Sequence, residues 1–291
     1  MKLVVAATPS DALPTIETLI KEHQVTLVTQ PDKPAGRGKK MRASDIANAY
    51  PQSFKPHNEA ELVDLLQGSD LLITIGYGRL LKLETLKIPK FGGINLHFSL
   101  LPRWRGAAPV QRSIEAGDRV TGVTVFQMDS GMDTGPIWHQ SEYQMPYGIN
   151  SIELFDALSQ LGAEAVQKTL VKILNNEVPQ PQTGTSSIAS KVTKDECRLN
   201  WFSDAETIIR KIKAFSFNPG VYSIIRGEQI KISDAGLSDR DLQPGELNSN
   251  GEVGCGSGSI QLLLVTPAGK RTMSALDWIN GFKPKIGERF E

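Results

Sequence analysis

Short, almost wholly apolar runs separated by helical stretches set the limits on what this chain can fold into. The first, KLVVAA at residues 2–7, has no polar alternation, which marks a strand buried on both faces. Leu13, Ile16, Leu19 and Ile20 follow at helical spacing, and QVTLVTQ at 24–30 reads as a second strand. EAELVDLLQ (59–67) is a short amphipathic helix, LLITIGYG (71–78) a third strand and FGGINLH (91–97) a fourth. PVQRSIEAGD (109–118) starts at proline and ends at glycine, the usual asymmetry of a short helix. VTGVTVFQM and PIWHQSEY are a fifth and a sixth strand. Asn150 with Glu153 forms a capping-box pattern that opens a long helix to about Asn175. Strands alternating with helices imply an α/β fold with a mostly parallel, doubly wound sheet.

Beyond that helix the pattern changes. NNEVPQPQTGTSSIASKVTKDE is polar and rich in proline, serine and threonine, so it reads as a linker. DAETIIRKIKAF is a helix, and GVYSIIRG, EQIKIS and SIQLLLVTP are short strands between glycine and proline turns. They suggest a small β-barrel of roughly 90 residues. The expected organisation is a catalytic domain at 1–175, a linker at 176–195 and a barrel domain at 196–291. A length of 291 residues accommodates this. Lysine plus arginine equals aspartate plus glutamate at 32 each, so any polyanionic partner must use a local patch. Two cysteines, Cys197 and Cys255, give no disulfide framework, which favours a reducing cytoplasm. No run approaches the roughly 18–20 apolar residues of a membrane span, and MKLVVAATPSDALP reads as a strand rather than a signal peptide.

Two strand ends carry polar clusters. Asn95 and His97 sit two apart on the fourth strand and so share a face; SLLPRWRG follows them. The fifth strand runs into MDSGMDTGP with Asp129 and Asp133, of which Asp129 is expected to be a turn former. If these strands are neighbours, a carboxylate meets the imidazole. An amide N–H that steadies an oxyanion, a histidine that moves protons and a carboxylate that tunes the histidine together suit attack on a carbonyl carbon. Of four histidines, His23, His57, His97 and His139, no close pair has zinc-ligand spacing. There is no G-x-G-x-x-G after the first strand, no P-loop and no G-x-S-x-G elbow. A second signal is the loop from Gln30 to Arg42, in which Lys33, Arg37, Lys39, Lys40 and Arg42 face one acid, Asp32. Such a loop is either solvated surface or a mobile arm for phosphates.

QPDKPAGRGKK, INLHFSLLPRWRGAAPVQRSIEAGD, TGVTVFQMDSGMDTGPI and PAGKRTMSALDW together resemble the methionyl-tRNA formyltransferase family of the folate-dependent formyltransferases, over nearly the whole chain. The Asn-x-His…SLLP and Asp-Thr-Gly elements belong to that superfamily at large; the basic loop and PAGK select the tRNA branch. The resemblance implies formyl transfer from 10-formyltetrahydrofolate to the α-amino group of methionine on initiator methionyl-tRNA, with no metal. It implies a Rossmann-like catalytic domain and a C-terminal OB-like barrel that holds the tRNA acceptor arm. It assigns Asn95, His97 and Asp133 to catalysis. Ser99, Leu100, Leu101 and Pro102, with Tyr77, Arg79, Leu80 and Leu81, are assigned to the folate site, and Arg37, Lys39, Lys40 and Arg42 to tRNA. A cytoplasmic monomer without membrane contact is expected. The chain departs from the family pattern at Phe98, where a small residue is common, at Ala7, and in FSFNPGVY, which lacks a tryptophan. A 10-formyltetrahydrofolate hydrolase or a sugar-amine formyltransferase would share the same strand-end elements, and the basic loop and barrel argue against both. A non-catalytic tRNA-binding protein is the third reading; the intact Asn95–His97–Asp133 set argues against it.

Overall fold

The computed structural model describes residues 1–35, 40–216 and 219–291. They form two compact units. The first comprises Met1–Pro109, Val120–Gln144 and Phe155–Ala189; the second comprises Val110–Arg119, Met145–Leu154 and Ser190–Glu291. In chain order the elements up to residue 189 are β1 (Lys2–Ala7), α1 (Leu13–Glu22), β2 (Gln24–Val28), β3 (Lys33–Ala35), β4 (Lys40–Arg42), α2 (Asp45–Ala49), α3 (Glu59–Leu66), β5 (Leu71–Ile75), α4 (Leu83–Leu86), β6 (Gly93–His97), β7 (Arg105–Gly106), α5 (Pro109–Ala116), β8 (Val120–Gln127), β9 (Ile137–Gln144), α6 (Ser151–Leu174) and β10 (Ile188–Ala189).

The first unit is built on a six-stranded sheet in the order β2-β1-β5-β6-β8-β9. The β2, β1, β5 and β6 strands are parallel, while β8 runs antiparallel to both β6 and β9. The sheet is parallel-rich as expected, and β8 is the strand that runs against its neighbours. Strand direction is set by the connection, and β8 and β9 are joined as a hairpin; an apolar run reads the same in either direction. On one face Val4, Ala6, Val28, Leu62, Leu66, Leu72, Tyr77 and Leu86 make a buried cluster. On the other face α6 lies so close to β6 that a Cβ on Gly162 would fall 2.7 Å from Leu96 Cδ2. Glycine permits that approach, and Leu96 pointing to α6 leaves Asn95 and His97 pointing away from it.

Two corrections concern connections. The basic segment is not irregular throughout: β3 and β4 pair antiparallel, with Lys33 opposite Arg42 and Ala35 opposite Lys40. Gly36, Arg37, Gly38 and Lys39 lie outside the described residues. Residues 176–189, expected as linker, belong to the first unit: Gln180 bridges Ile137 and β10 pairs with β7. Hydrogen bonds to a neighbouring strand, rather than any apolar pattern, hold this segment, so its composition gave no sign of it.

In the second unit, Asn150 Oδ1 accepts from the backbone N–H of Ile152 and Glu153 at 2.9 and 3.0 Å, and Glu153 Oε2 accepts from Asn150 N at 3.0 Å, the capping box that the sequence implied. The later elements are α7 (Ala205–Phe215), β11 (Val221–Ile225), β12 (Glu228–Ser238), β13 (Glu252–Gly254), β14 (Ser259–Pro267), β15 (Met273–Ser274) and α8 (Ala275–Phe282). β11, β12, β14 and β13 form an antiparallel sheet in that order, with β15 added to β14. Register shifts on either side of Asp234 curl the long β12 strand. The curled antiparallel sheet matches the strand-rich reading of this region.

Candidate active site

β6 brings its two polar side chains to a point where three segments converge. His97 is buried, and its Nε2 lies 2.8 Å from the carbonyl oxygen of Trp104. A carbonyl can only accept, so Nε2 carries the proton and the lone pair of the neutral ring is on Nδ1. Nδ1 faces Asp133 Oδ2 at 3.7 Å, too far for a direct hydrogen bond and close enough for strong charge coupling. Burial holds His97 below the usual imidazole value, with Asp133 first and the Trp104 carbonyl second pulling it back up. The ring is therefore neutral near pH 7, with a basic nitrogen on the carboxylate side.

Asp133 is held in place from two directions. Its Oδ2 accepts from the backbone N–H of Gly106 at 2.7 Å, and its own backbone is left-handed at φ 56. Gln182 Nε2 donates to the carbonyls of Asp133 and Gly135, both at 2.8 Å. The same Gln182 accepts through Oε1 from Arg105 Nε and Nη2 at 3.2 and 2.6 Å. Gly106 sits at φ 119, and a Cβ there would meet the Ala189 carbonyl oxygen at 2.8 Å, so only glycine lets β7 and β10 close. Trp104 N donates to Ser187 Oγ at 2.9 Å. Residues 182–189 thus support both partners of His97. Asp129 accepts from Gly131 N and Thr134 Oγ1, the turn role expected of it.

Asn95 lies opposite Thr74 on β5 and Phe126 on β8. Its Oδ1 accepts from Thr74 Oγ1 at 2.7 Å, and its Nδ2 meets no acceptor among the described residues. The segment after β6 is pinned as well. Thr124 Oγ1 donates to Ser99 O at 2.6 Å and accepts from Leu101 N at 3.1 Å, and Gln140 Nε2 donates to Leu101 O at 2.8 Å. Ser99 Oγ donates to Arg103 O, and Arg103 stacks over the Trp104 ring. Ser99, Leu101 and Pro102 are buried and Leu100 partly so.

The segment at Tyr77–Leu81 is less uniform than its motif suggests. Tyr77 turns into the core cluster, and its carbonyl accepts from Thr8 Oγ1 and Gln30 Nε2. Arg79 donates to the carbonyls of Pro56 and His57, Leu81 packs on the cluster, and Leu80 is 93% exposed. Lys40 and Arg42 are exposed, whereas Asp32, the acid of the basic segment, is paired with Lys55 at 2.6 Å. Arg37 and Lys39 lie outside the described residues. In the second unit a cavity of about 470 Å³, which the sequence did not signal, is lined by residues including Arg198, Trp201, Phe202 and Arg289. Among the described residues no group of three or more His, Cys, Asp or Glu side chains is arranged to hold a metal ion, and no helix is long and apolar enough to cross a membrane.

The site as a whole offers an outward amide donor, a neutral imidazole and a fixed carboxylate beside a rigid loop, a set suited to acyl transfer. Comparison with known proteins agrees with that chemistry. Residues 1–171 match the formyl transferase family model and residues 191–283 match the model of the formyl transferase C-terminal domain. A methionyl-tRNA formyltransferase of Dichelobacter nodosus is 40% identical, covering 95% of this chain and 93% of its own. One from Streptomyces griseus is 37% identical, covering 99% of both. Among solved structures, HypX from Aquifex aeolicus in complex with tetrahydrofolic acid has the same fold over 99% of this chain and 48% of its own, with a TM-score of 0.71 at 17% identity.

Proposed function

The chain belongs to the formyl transferase family and moves a formyl group from 10-formyltetrahydrofolate to the α-amino group of methionine on methionyl-tRNA, and we propose that Asn95, His97 and Asp133 carry that transfer. The neutral amine attacks the formyl carbon, and the carbonyl oxygen becomes negative. The free Nδ2 of Asn95 donates to it, as an oxyanion donor must. His97 accepts the amine proton on Nδ1, and the imidazolium so formed faces the Asp133 carboxylate. The same proton passes to N10 of the folate as the C–N10 bond breaks, leaving tetrahydrofolate and formylmethionyl-tRNA. The observation that carries this reading is the fixed tautomer of His97, with the Trp104 carbonyl on Nε2 and Asp133 across from Nδ1.

Further assignments follow the family motifs. The pinned Ser99–Pro102 segment and the turn at 77–81, through its backbone and Leu80, line the folate site. Arg37, Lys39, Lys40 and Arg42 of the basic segment contact initiator tRNA. The curled C-terminal sheet acts as an OB-like tRNA-binding domain, and the protein works as a cytoplasmic monomer. The test is an incubation with 10-formyltetrahydrofolate, with and without methionyl-tRNA, following tetrahydrofolate and formylmethionine. Formylmethionine formed in step with tetrahydrofolate, and only with the tRNA present, is expected. Formate release without tRNA would point to a hydrolase instead.

A further inference from the structure

β5 reads LLITI and is buried along its whole length. Four of its residues are plain core residues. The fifth, Thr74, is 3% exposed and puts a hydroxyl where valine would fill the same space with nothing to satisfy. Its register explains the hydroxyl. Thr74 lies directly opposite Asn95, so the two side chains share the face of the sheet on which the site is built. Three acceptors surround Thr74 Oγ1: Asn95 Oδ1 at 2.7 Å, Ile94 O at 3.3 Å and Met128 Sδ at 3.3 Å. A hydroxyl has one proton, and the shortest contact, to an amide oxygen, takes it.

The consequence concerns orientation. The two ends of an asparagine amide are nearly the same in shape and opposite in hydrogen bonding. With Oδ1 tied down, Nδ2 must point outward; rotated by half a turn, the amide would present an oxygen to a developing oxyanion and repel it. We propose that Thr74 is a positioning residue for the formyl transfer, holding Asn95 with its N–H donors toward the reacting carbonyl. This rests on the role given to Asn95 above and adds the device that makes the amide a donor rather than an acceptor. Because the amide must be turned correctly before the transition state forms, loss of Thr74 lowers kcat and leaves folate binding in place.

Four variants test this: Thr74→Val, Thr74→Ser, Asn95→Ala and the double variant Thr74→Val/Asn95→Ala, with kcat and the folate KM measured for each and folding followed by Tm. Thr74→Val keeps the β-branched shape and removes only the hydroxyl; by the worth of one neutral hydrogen bond it should lower kcat roughly five- to tenfold at an unchanged KM. Thr74→Ser keeps the donor and should stay within about twofold of the parent. In the Asn95→Ala background the valine should cost nothing more, because Thr74 acts only through that amide. A merely structural threonine would lower both backgrounds alike. Full kcat in Thr74→Val, or a loss that multiplies in the double variant, overturns the proposal while leaving the role of Asn95 intact. An Asn95→Ala enzyme with parental kcat overturns both. If the valine lowers Tm enough to obscure its kinetics, Thr74→Ala against Thr74→Ser makes the same comparison, with full kcat in the alanine variant again the contrary result.

Discussion

The surroundings of His97 and the β3–β4 hairpin are opposite ways of using polar residues. Around His97 each polar group is held by another: Asp133 by Gly106 N–H, its backbone by Gln182, the Trp104 segment by Ser187, and the loop after β6 by Thr124 and Gln140. On the hairpin, Lys40 and Arg42 stand in solvent. Chemistry needs fixed geometry, because a misplaced donor loses transition-state stabilisation outright. Recognition of a large polyanion needs reach and charge, which an exposed cation supplies without fixed partners. Substitutions in the first region should therefore change kcat, and those in the second should change tRNA affinity and its salt dependence.

The largest effect is expected at Asn95. Asn95→Ala removes the outward donor and should lower kcat by roughly 10²–10³ with little change in folate KM. A folate KM that rises while kcat holds would move Asn95 from the chemical step to ground-state binding. Next comes Arg37. Arg37→Ala should lower formylation of methionyl-tRNA by about 10–100-fold, the worth of a good guanidinium contact, with folate binding intact. Arg37→Lys should not restore it fully, since an ammonium lacks the planar fork. Formylation at the parental rate in Arg37→Ala would leave the basic segment as solvated surface.

Asp133→Asn is a smaller change with a definite direction. His97 must be neutral to accept the amine proton, so the rate falls as pH drops through its pKa. Burial already holds that pKa below the usual imidazole value, and Asp133 is the strongest influence raising it. Removing the charge lowers it further, so the acidic limb should move to lower pH. The imidazolium also loses its counter-charge, and kcat on the plateau should fall by about tenfold, the equivalent of one pKa unit of interaction. An unchanged limb would mean that the carboxylate does not act through His97.

How far the sequence could be read depended on where the deciding groups lie. β1, β5 and β6 were legible because a strand buried on both faces must be apolar, and Asn95 and His97 stood out against that background. The antiparallel course of β8 was not, since burial imposes the same residues in either direction. Asn150 and Glu153 were readable because a cap is a local pattern. Gln182 was not, because it sits in a polar segment and meets Asp133 across 49 residues. The partners that settle the tautomer of His97 and anchor Asp133 are the backbone carbonyl of Trp104 and the N–H of Gly106, which every non-proline residue possesses. α8 was not legible because its eight residues, ALDWINGF, make little more than two turns and include a glycine, too little for a helical period to show.

The smallest expected effect sharpens the contrast best, because it should appear in one observable and not in the other. Lys40 and Arg42 lie two apart on β4, and neither makes an ion pair among the described residues. Asp32, the one acid of the segment, is already neutralised by Lys55, so the two cations keep their full charge toward a phosphate backbone. Each phosphate contact releases counterions, and each lost contact should flatten the slope of log affinity against log salt by roughly 0.7–0.9. The double variant Lys40→Ala/Arg42→Ala should thus bind methionyl-tRNA with a slope shallower by about 1.4–1.8 and lose affinity mainly at low salt. At saturating tRNA its kcat should match the parent, because neither side chain takes part in holding Asn95, His97 or Asp133. A lowered kcat at saturation with an unaltered salt slope would reverse the assignment, making the hairpin part of the catalytic geometry rather than an electrostatic handle.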